Sequence, residues 1–597
     1  MTCAFCGNTN EPGVRFCTRC GAQIQQESQN RPDQHFQQDR YDRLDQQDQQ
    51  GRYDMLDQQG QQGHQDQQYH KTQGPPDFDG FENTRRHSAG ASLKTLPLKK
   101  ILLIAIPVVV LIIAAIIVVP MIGGSSRGAR KDHIELFSNK GELIVSGNNN
   151  EKFTINGNSS SSQVSLDGSK AVVMTDYNSS SGGVLWFVTP SGATKIADDV
   201  FAFKLSDSGN GVVYFTEYDD KISEAVLYLY DTSGKKATLV TDNAYFNGYA
   251  TMPGVAISPN GKSVGYIMDY DERNYEFTGY IRIDGKSQEK VGDEMFAEAI
   301  SDGGKYLYYR KVDVKTGEAS LHVRSGRNEF RLVPDASNVQ IMLNKDYSEI
   351  LLSVYNGDRR TFISRKGGER ERISGAAILS LVMPRGSPVR TCNTDFSNII
   401  VYGKSSLSDF VAITGEGLAY YNKNLEANKI AASSNYANMS EISSDGKTLY
   451  FINNSNRLSS IDPTVPGAER KEIEKDVLAF VASGDGKSVY YISEENELYH
   501  VRGNGTQTLI AEDVYSGCLA ISYSSNRVFF LLDYRDNRGG EMFFSNNGGK
   551  RAKVSGADDV MTLWSTPANI FFISRDDELF RSSGNEKFVL FHDEIDR

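Results

Sequence analysis

Four cysteines open the chain at a spacing that suits metal chemistry: Cys3, Cys6, Cys17 and Cys20, within MTCAFCGNTNEPGVRFCTRCG. Each C-x-x-C pair can turn tightly enough to aim both sulfurs at one point. Gly7 and Gly21 follow the second cysteine of each pair, where a positive φ is convenient. Four thiolates close a tetrahedron around Zn²⁺ and leave no position for a substrate, so the expected site is structural and holds no catalytic group. So short a segment has almost no apolar core, and metal binding would supply most of its folding free energy, on the order of 10–16 kcal/mol. The alternatives are a redox pair or a disulfide, but no βαβ pattern surrounds the motif.

The rest of the chain offers little that reads as catalysis. Gly261-Lys262-Ser263-Val264-Gly265 and Gly124 to Gly128 both fit G-x-S-x-G. A nucleophile elbow needs a strand–turn–helix setting, and neither stretch has one. His133, His322, His500 and His592 are the histidines beyond residue 130, at no metal-binding spacing. EYDD (217–220) and DYDERNYE (269–276) are acidic, yet neither matches a calcium loop, and solvated loops are expected there. No glycine loop for phosphate is present. No catalytic or cofactor-binding residue is assigned, and the expectation is a protein that is not an enzyme.

The amino-terminal thiols resemble the short zinc ribbons found at the start of many bacterial membrane proteins, through the four cysteines and two glycines over residues 1–24. Such ribbons bind proteins or nucleic acids, or only fold. Arg15 and Arg19 are too few for a nucleic-acid site.

Stepping outward, residues 25–96 are rich in Gln, Asp, Gly, Arg and Tyr, with a duplication, DRYDRLDQQDQQ then GRYDMLDQQGQQ (39–62). Few aliphatic residues are available to offset chain ordering, so a disordered linker is expected. Residues 97–123 follow as a membrane helix, because Ile101 to Ile122 contains no charge. At about 1.5 Å per residue that run crosses a hydrocarbon core of roughly 30 Å. Arg85, Arg86, Lys94, Lys99 and Lys100 on the amino side against Arg127, Arg130 and Lys131 on the other favour an inside amino terminus only slightly. Reduced thiols persist best in the cytosol, which places the amino terminus inside and the carboxy-terminal domain outside the cell membrane.

Residues 1–130 carry 14 Lys/Arg and 13 Asp/Glu, so the remainder, with 50 and 63, holds a net charge of −13. An acidic domain is a poor nucleic-acid binder. Cys392 and Cys518 lie far apart and are expected as buried apolar residues, with one long-range disulfide as the alternative.

Residues 131–597 repeat. AISPNGKSVGYIM (256–268), AISDGGKYLYYRK (299–311), EISSDGKTLYFIN (441–453) and VASGDGKSVYYIS (481–493) are plain copies, and VSLDGSKAVVMT, KLSDSGNGVVYFT, LNKDYSEILLSV, NTDFSNIIVYG, ISYSSNRVFFLL and WSTPANIFFIS are weaker ones. Each reads as an apolar strand, a Ser-x-Asp-Gly-Lys turn and an aromatic strand, followed by a second hairpin. Turn spacing of 39 to 53 residues matches one four-stranded blade. The copies resemble TolB-like, or WD40-like, β-propeller repeats of bacterial envelope proteins. The fold expected is therefore mainly β: one or two propellers of four-stranded antiparallel blades from about ten repeats, plus the ribbon and one transmembrane helix. IELFSNKGELIVSG (134–147) looks like an outer hairpin with no inner hairpin before it. The functional expectation is a membrane-anchored sensor or scaffold that binds a protein, peptide or glycan outside, with a cytosolic protein partner for the ribbon. An envelope enzyme with a channel active site and a purely structural tether are the alternatives.

Overall fold

The computed structural model describes residues 133–597, apart from 140, 147–151, 249–251, 253, 272–273, 275, 314–315, 317, 356–359, 394–396, 433–438, 504, 523–525, 594 and 596–597. The proposed ribbon, linker and membrane helix all lie outside the described residues. Among the described residues no helix is long and apolar enough to cross a membrane, and no group of His, Cys, Asp and Glu could hold a metal ion.

The described chain is a succession of antiparallel β-meanders, numbered here as sheets 1 to 11. They span 135–156, 159–200, 202–245, 256–293, 295–333, 339–372, 378–432, 440–474, 477–511, 514–553 and 560–592. Sheets 2 to 11 each contribute four strands, a to d in chain order. Sheets 10 and 11 touch edge to edge through one pairing, Gly540 with Val560. Buried clusters join each sheet to the next, and the last joins sheet 11 back to sheet 1 through Phe571, Ile573 and Phe591 against Phe137 and Ile144. These are β-propeller blades, packed face to face in a closed circuit.

The turn motif explains itself. In sheet 8, Ser443 Oγ donates to Asp445 Oδ1 (2.6 Å) while accepting from the Thr448 N–H, and Lys447 N–H also bonds Asp445. Sheet 9 repeats this with Ser483, Asp485, Lys487 and Ser488. Gly446 and Gly486 sit at φ 74° and 68°, which a side chain would oppose. One serine hydroxyl and one carboxylate thus satisfy turn groups that packing would otherwise strand. The strand after the turn supplies the core: Tyr490, Tyr491, Phe529 and Phe530 are fully buried between sheets. Neighbouring turns are tied together, Leu166 N–H to Asp207 O, Ser208 N–H to Pro259 O and Ser444 N–H to Gly484 O, so the a–b turns share one end of the circuit.

Two departures from the repeat matter. Sheet 1 has three strands, Glu135–Asn139, Glu142–Ser146 and Lys152–Asn156, equivalent to b, c and d. The inner strand has no counterpart among the described residues, in line with the unpaired hairpin read in the sequence. The second departure corrects that reading. NTDFSNIIVYG is not the inner hairpin of a blade. Strands Val389–Asn393 and Ser397–Tyr402 form an insertion between strands a and b of sheet 7, and Ser397–Tyr402 pairs in parallel with the inner strand of sheet 6, Val339–Leu343. Its alternating Ile399/Val401 and Ile400/Tyr402 enter the cores on both sides of sheet 6, which is why it reads locally like any other blade strand.

Candidate binding surface

Strand alternation sends the b–c turns and the d-to-a junctions of every blade to the end opposite the a–b turns. That end is acidic by a repeated device. Asp176, Glu217, Asp269 and Asp533 lie near the ends of the second strands of sheets 2, 3, 4 and 10 with φ between 52° and 57°. A tyrosine follows each: Tyr177, Tyr218, Tyr270 and Tyr534. The pairing registers shift at these positions, so each acid occupies a β-bulge. Junctions repeat the choice. Asp199, Glu294, Asp476 and Asp513 have φ between 52° and 59°, and each precedes a buried Val or Met.

Glycine or asparagine would occupy left-handed backbone at lower cost, above all where glutamate stands. Aspartate, like asparagine, takes such backbone readily, so the backbone cost falls chiefly on Glu217 and Glu294.

Sheets 3 and 4 bring the two acidic stretches of the sequence together. Glu224 lies opposite Asp219 in the sheet 3 hairpin and beside Tyr245 of the next strand. Burial, then Asp219, Asp269 and Asp242, push its carboxyl above the usual glutamate range. Tyr245 packs on Tyr270 at 4.3 Å between ring centroids, and Tyr218 packs edge-on against both Phe246 and Phe201. Tyr280 donates to Asp269 at 2.8 Å. On sheet 10 Tyr534 stacks on Tyr515 at 3.8 Å and 7°, and Tyr177 on sheet 2 is exposed. The surface joins negative charge to flat, half-exposed rings, a combination suited to cations with apolar stems.

A raised carboxyl means that ionised Glu224 opposes folding, increasingly as pH climbs above its ordinary value of 4.5. Glu224→Gln is expected to raise the thermal midpoint at neutral pH. The gain should vanish at acid pH, where glutamate is protonated in both states; thermal melts of both proteins across that range check it.

The other end is held from within. Asp207, in the a–b turn of sheet 3, takes Arg390 Nη1 at 2.9 Å and Tyr347 Oη at 2.8 Å. Arg390, on the inserted hairpin, also donates to Gln163 Oε1, which accepts from the Leu205 N–H as well. Tyr347 stands where other turns have glycine, at φ 60°. Sheet 6 and the inserted hairpin are clasped there to the neighbouring sheets 2 and 3, from which they are distant in the circuit, by a satisfied ion pair.

The remaining sequence candidates separate. Ser263 is buried as the end of a turn, its N–H bonded to Ser258 Oγ. His322, His500 and His592 lie on sheets 5, 9 and 11, beside Ser320, Tyr490 and Glu142 respectively. Cys518 is a buried free thiol whose pKa burial raises; the side chain of Cys392 lies outside the described residues, as do Cys3, Cys6, Cys17 and Cys20. The acid–tyrosine pairs were missed in the sequence, although the dipeptide recurs at matching places in four blades.

No family model and no curated protein matches the chain. Solved structures with some likeness include the tricorn protease, at 12% identity and TM-score 0.26, covering 79% of this chain and 57% of that one. The eukaryotic initiation factor is 10% identical at TM-score 0.34, over 71% and 96%. The β-propeller domain of the Trilobed protease from Pyrococcus furiosus is 11% identical at TM-score 0.30, over 50% and 92%. This chain thus spans little more than half of the tricorn protease. Likeness of that degree transfers no activity.

Proposed function

We propose that the chain is a single-pass membrane protein whose extracytoplasmic propeller binds a basic protein or peptide at its acid–tyrosine end. The observation that supports this most is the set of acids placed in left-handed backbone around one end, alongside tyrosines. In this reading residues 97–123 anchor the domain in the cell membrane, and residues 25–96 are the linker to a cytoplasmic zinc ribbon. Four thiols in two close pairs suit Zn²⁺ as donors, and Cys3, Cys6, Cys17 and Cys20 would hold it structurally. The ribbon would offer a docking point for a cytosolic protein.

The test uses the full chain and three fluorescent peptides, cationic, neutral and anionic, each carrying the same aromatic residues. Only the cationic peptide should bind, with affinity falling as salt is added. The variant Asp176→Asn, Glu217→Asn, Asp269→Asn, Asp533→Asn removes charge while keeping a residue that accepts left-handed backbone. It is expected to fold normally and lose at least tenfold in affinity by anisotropy titration. Equal binding of the three peptides, or an unchanged variant, would overturn the reading.

A further inference from the structure

Sheet 1 lacks its inner strand. Strand b of that sheet, Glu135–Asn139, pairs with strand c on one side, and among the described residues no strand a lies on the other. Sheet edges of this kind accept an added strand. The far end of the chain is aimed at this one.

Where the chain passes from one blade to the next, the first residue of the new strand a is fixed in a set way. From sheet 8 to sheet 9, strand d ends at Glu474 and strand a begins three residues later at Val477. From sheet 9 to sheet 10, the corresponding residues are Ala511 and Val514. Each valine N–H bonds a carbonyl in the b–c turn of the sheet just left, Val477 to Asn456 and Val514 to Asn496, both at 2.8 Å. Those acceptors have φ 52° and 62°. Each valine is buried in the core shared by the two sheets it joins. Ile595 meets all of these conditions. Strand d of sheet 11 ends three residues before it, at His592. The Ile595 N–H bonds Asp577 O at 2.9 Å, and Asp577, in the b–c turn of sheet 11, has φ 66°. The Ile595 side chain is buried with Phe571, Ile573 and Phe591 of sheet 11 and with Phe137 and Ile144 of sheet 1. Ile595 thus stands where a strand a begins, and the sheet next in the circuit is sheet 1.

We propose that the segment from Ile595 onward is the inner strand of sheet 1, so that this blade is assembled from both ends of the propeller chain. Sheet 9 supplies the register. There Val477 lies opposite Ser493, the last residue of strand b, and after a bulge Ala479 lies opposite Ile492. Carried over to sheet 1, this sets Ile595 opposite Asn139 and Arg597 opposite Ser138. The faces agree with that alignment. Tyr491, two residues before Ser493, packs toward the preceding sheet, and so does Phe137, two residues before Asn139. The segment acts as a latch, adding backbone bonds between the last blade and the first where side chains already meet. It grips strand b at its turn end, away from residue 133, where the described chain enters the sheet.

The full chain carrying Ser138→Cys and Arg597→Cys tests this. Residues opposite one another in an antiparallel pair lie within the Cα separation that a disulfide spans, and Ser138 is exposed. Mild oxidation should link the two positions within one chain, seen by mass spectrometry as a joined peptide pair. Ser138→Cys with Asp593→Cys, placed before the strand begins, should link at least tenfold less. A second measurement needs no new cysteine. Deleting residues 595–597 should speed amide exchange within 136–139 at least tenfold and leave 488–502 in sheet 9 unchanged. If the deletion loosens 488–502 as well, the cysteine pair decides. Absence of the link, a link only between two chains, equal linking from position 593, or exchange at 136–139 indifferent to the deletion would overturn the proposal.

Discussion

Asp207→Ala will destabilise the propeller by about 3–5 kcal/mol, because it strips the counter-charge from a largely buried guanidinium. Asp207 and Arg390 are 5% and 11% exposed. The same change removes the acceptor for Tyr347, a bulky residue held at φ 60°, where the backbone alone costs on the order of 1–3 kcal/mol. The inserted hairpin should loosen with it, since Arg390 is its tie to sheets 2 and 3. Denaturant midpoints measure the loss, and amide exchange across 389–402 locates it. The double variant Asp207→Leu, Arg390→Met should recover most of the stability by exchanging a buried ion pair for apolar packing. A cost below about 1 kcal/mol for Asp207→Ala would mean that the clasp holds nothing.

The second large effect is expected where the circuit closes. Glu135 is buried in sheet 1; it accepts from the Thr566 hydroxyl and from Asn569 Nδ2 at 3.0 Å, both in the a–b turn of sheet 11. Burial raises its carboxyl pKa, while those hydrogen bonds and the Arg581 cation pull the other way. Arg581 is itself buried, bonded to Ser146 Oγ and lying over the Phe591 ring. Glu135→Ala removes a buried carboxylate that favours the Arg581 cation and leaves the Thr566 hydroxyl and the Asn569 amide without their acceptor, again at a cost of about 3–5 kcal/mol. Glu135→Gln keeps the shape and part of the bonding, so it should cost clearly less; the two midpoints together separate charge from hydrogen bonding. Amide exchange should rise first in 135–146 and 560–574. An unchanged midpoint for Glu135→Ala would show that the joint is held by Phe137, Phe571 and Phe591 alone.

Much of this fold could be read from local chemistry. The Ser-x-Asp-Gly-Lys turn is self-contained, so its residues declare the a–b hairpin wherever they occur. The hairpin at 134–147 likewise announced an incomplete first blade, although it forms strands b and c and not the outer pair that the sequence suggested. The inserted hairpin did not declare itself, because Asn393, Asp395 and the Ile399–Val401 run resemble any other copy; only parallel pairing with Val339–Leu343 distinguishes it. The clasp was out of reach for the same reason, since Asp207 and Arg390 are 183 residues apart. The acidic end lay between these cases. EYDD and DYDERNYE were visible as charge, yet a solvated loop and a ring of acids have the same composition. Backbone sign at Asp176, Glu217, Asp269 and Asp533 separates them, and sequence carries that only as a recurring acid before tyrosine.

The incomplete first sheet has a mechanical consequence. Sheets 1 and 11 exchange no strand among the described residues; they meet only through side chains. Any pull through residue 132 arrives at Glu135–Asn139, which among the described residues is an edge strand laddered on one side alone. Under load that strand unzips bond by bond while the ten other blades, each sewn by its own ladders, stay whole. The seam acts as a fuse, and the wheel yields first at the spoke nearest its axle.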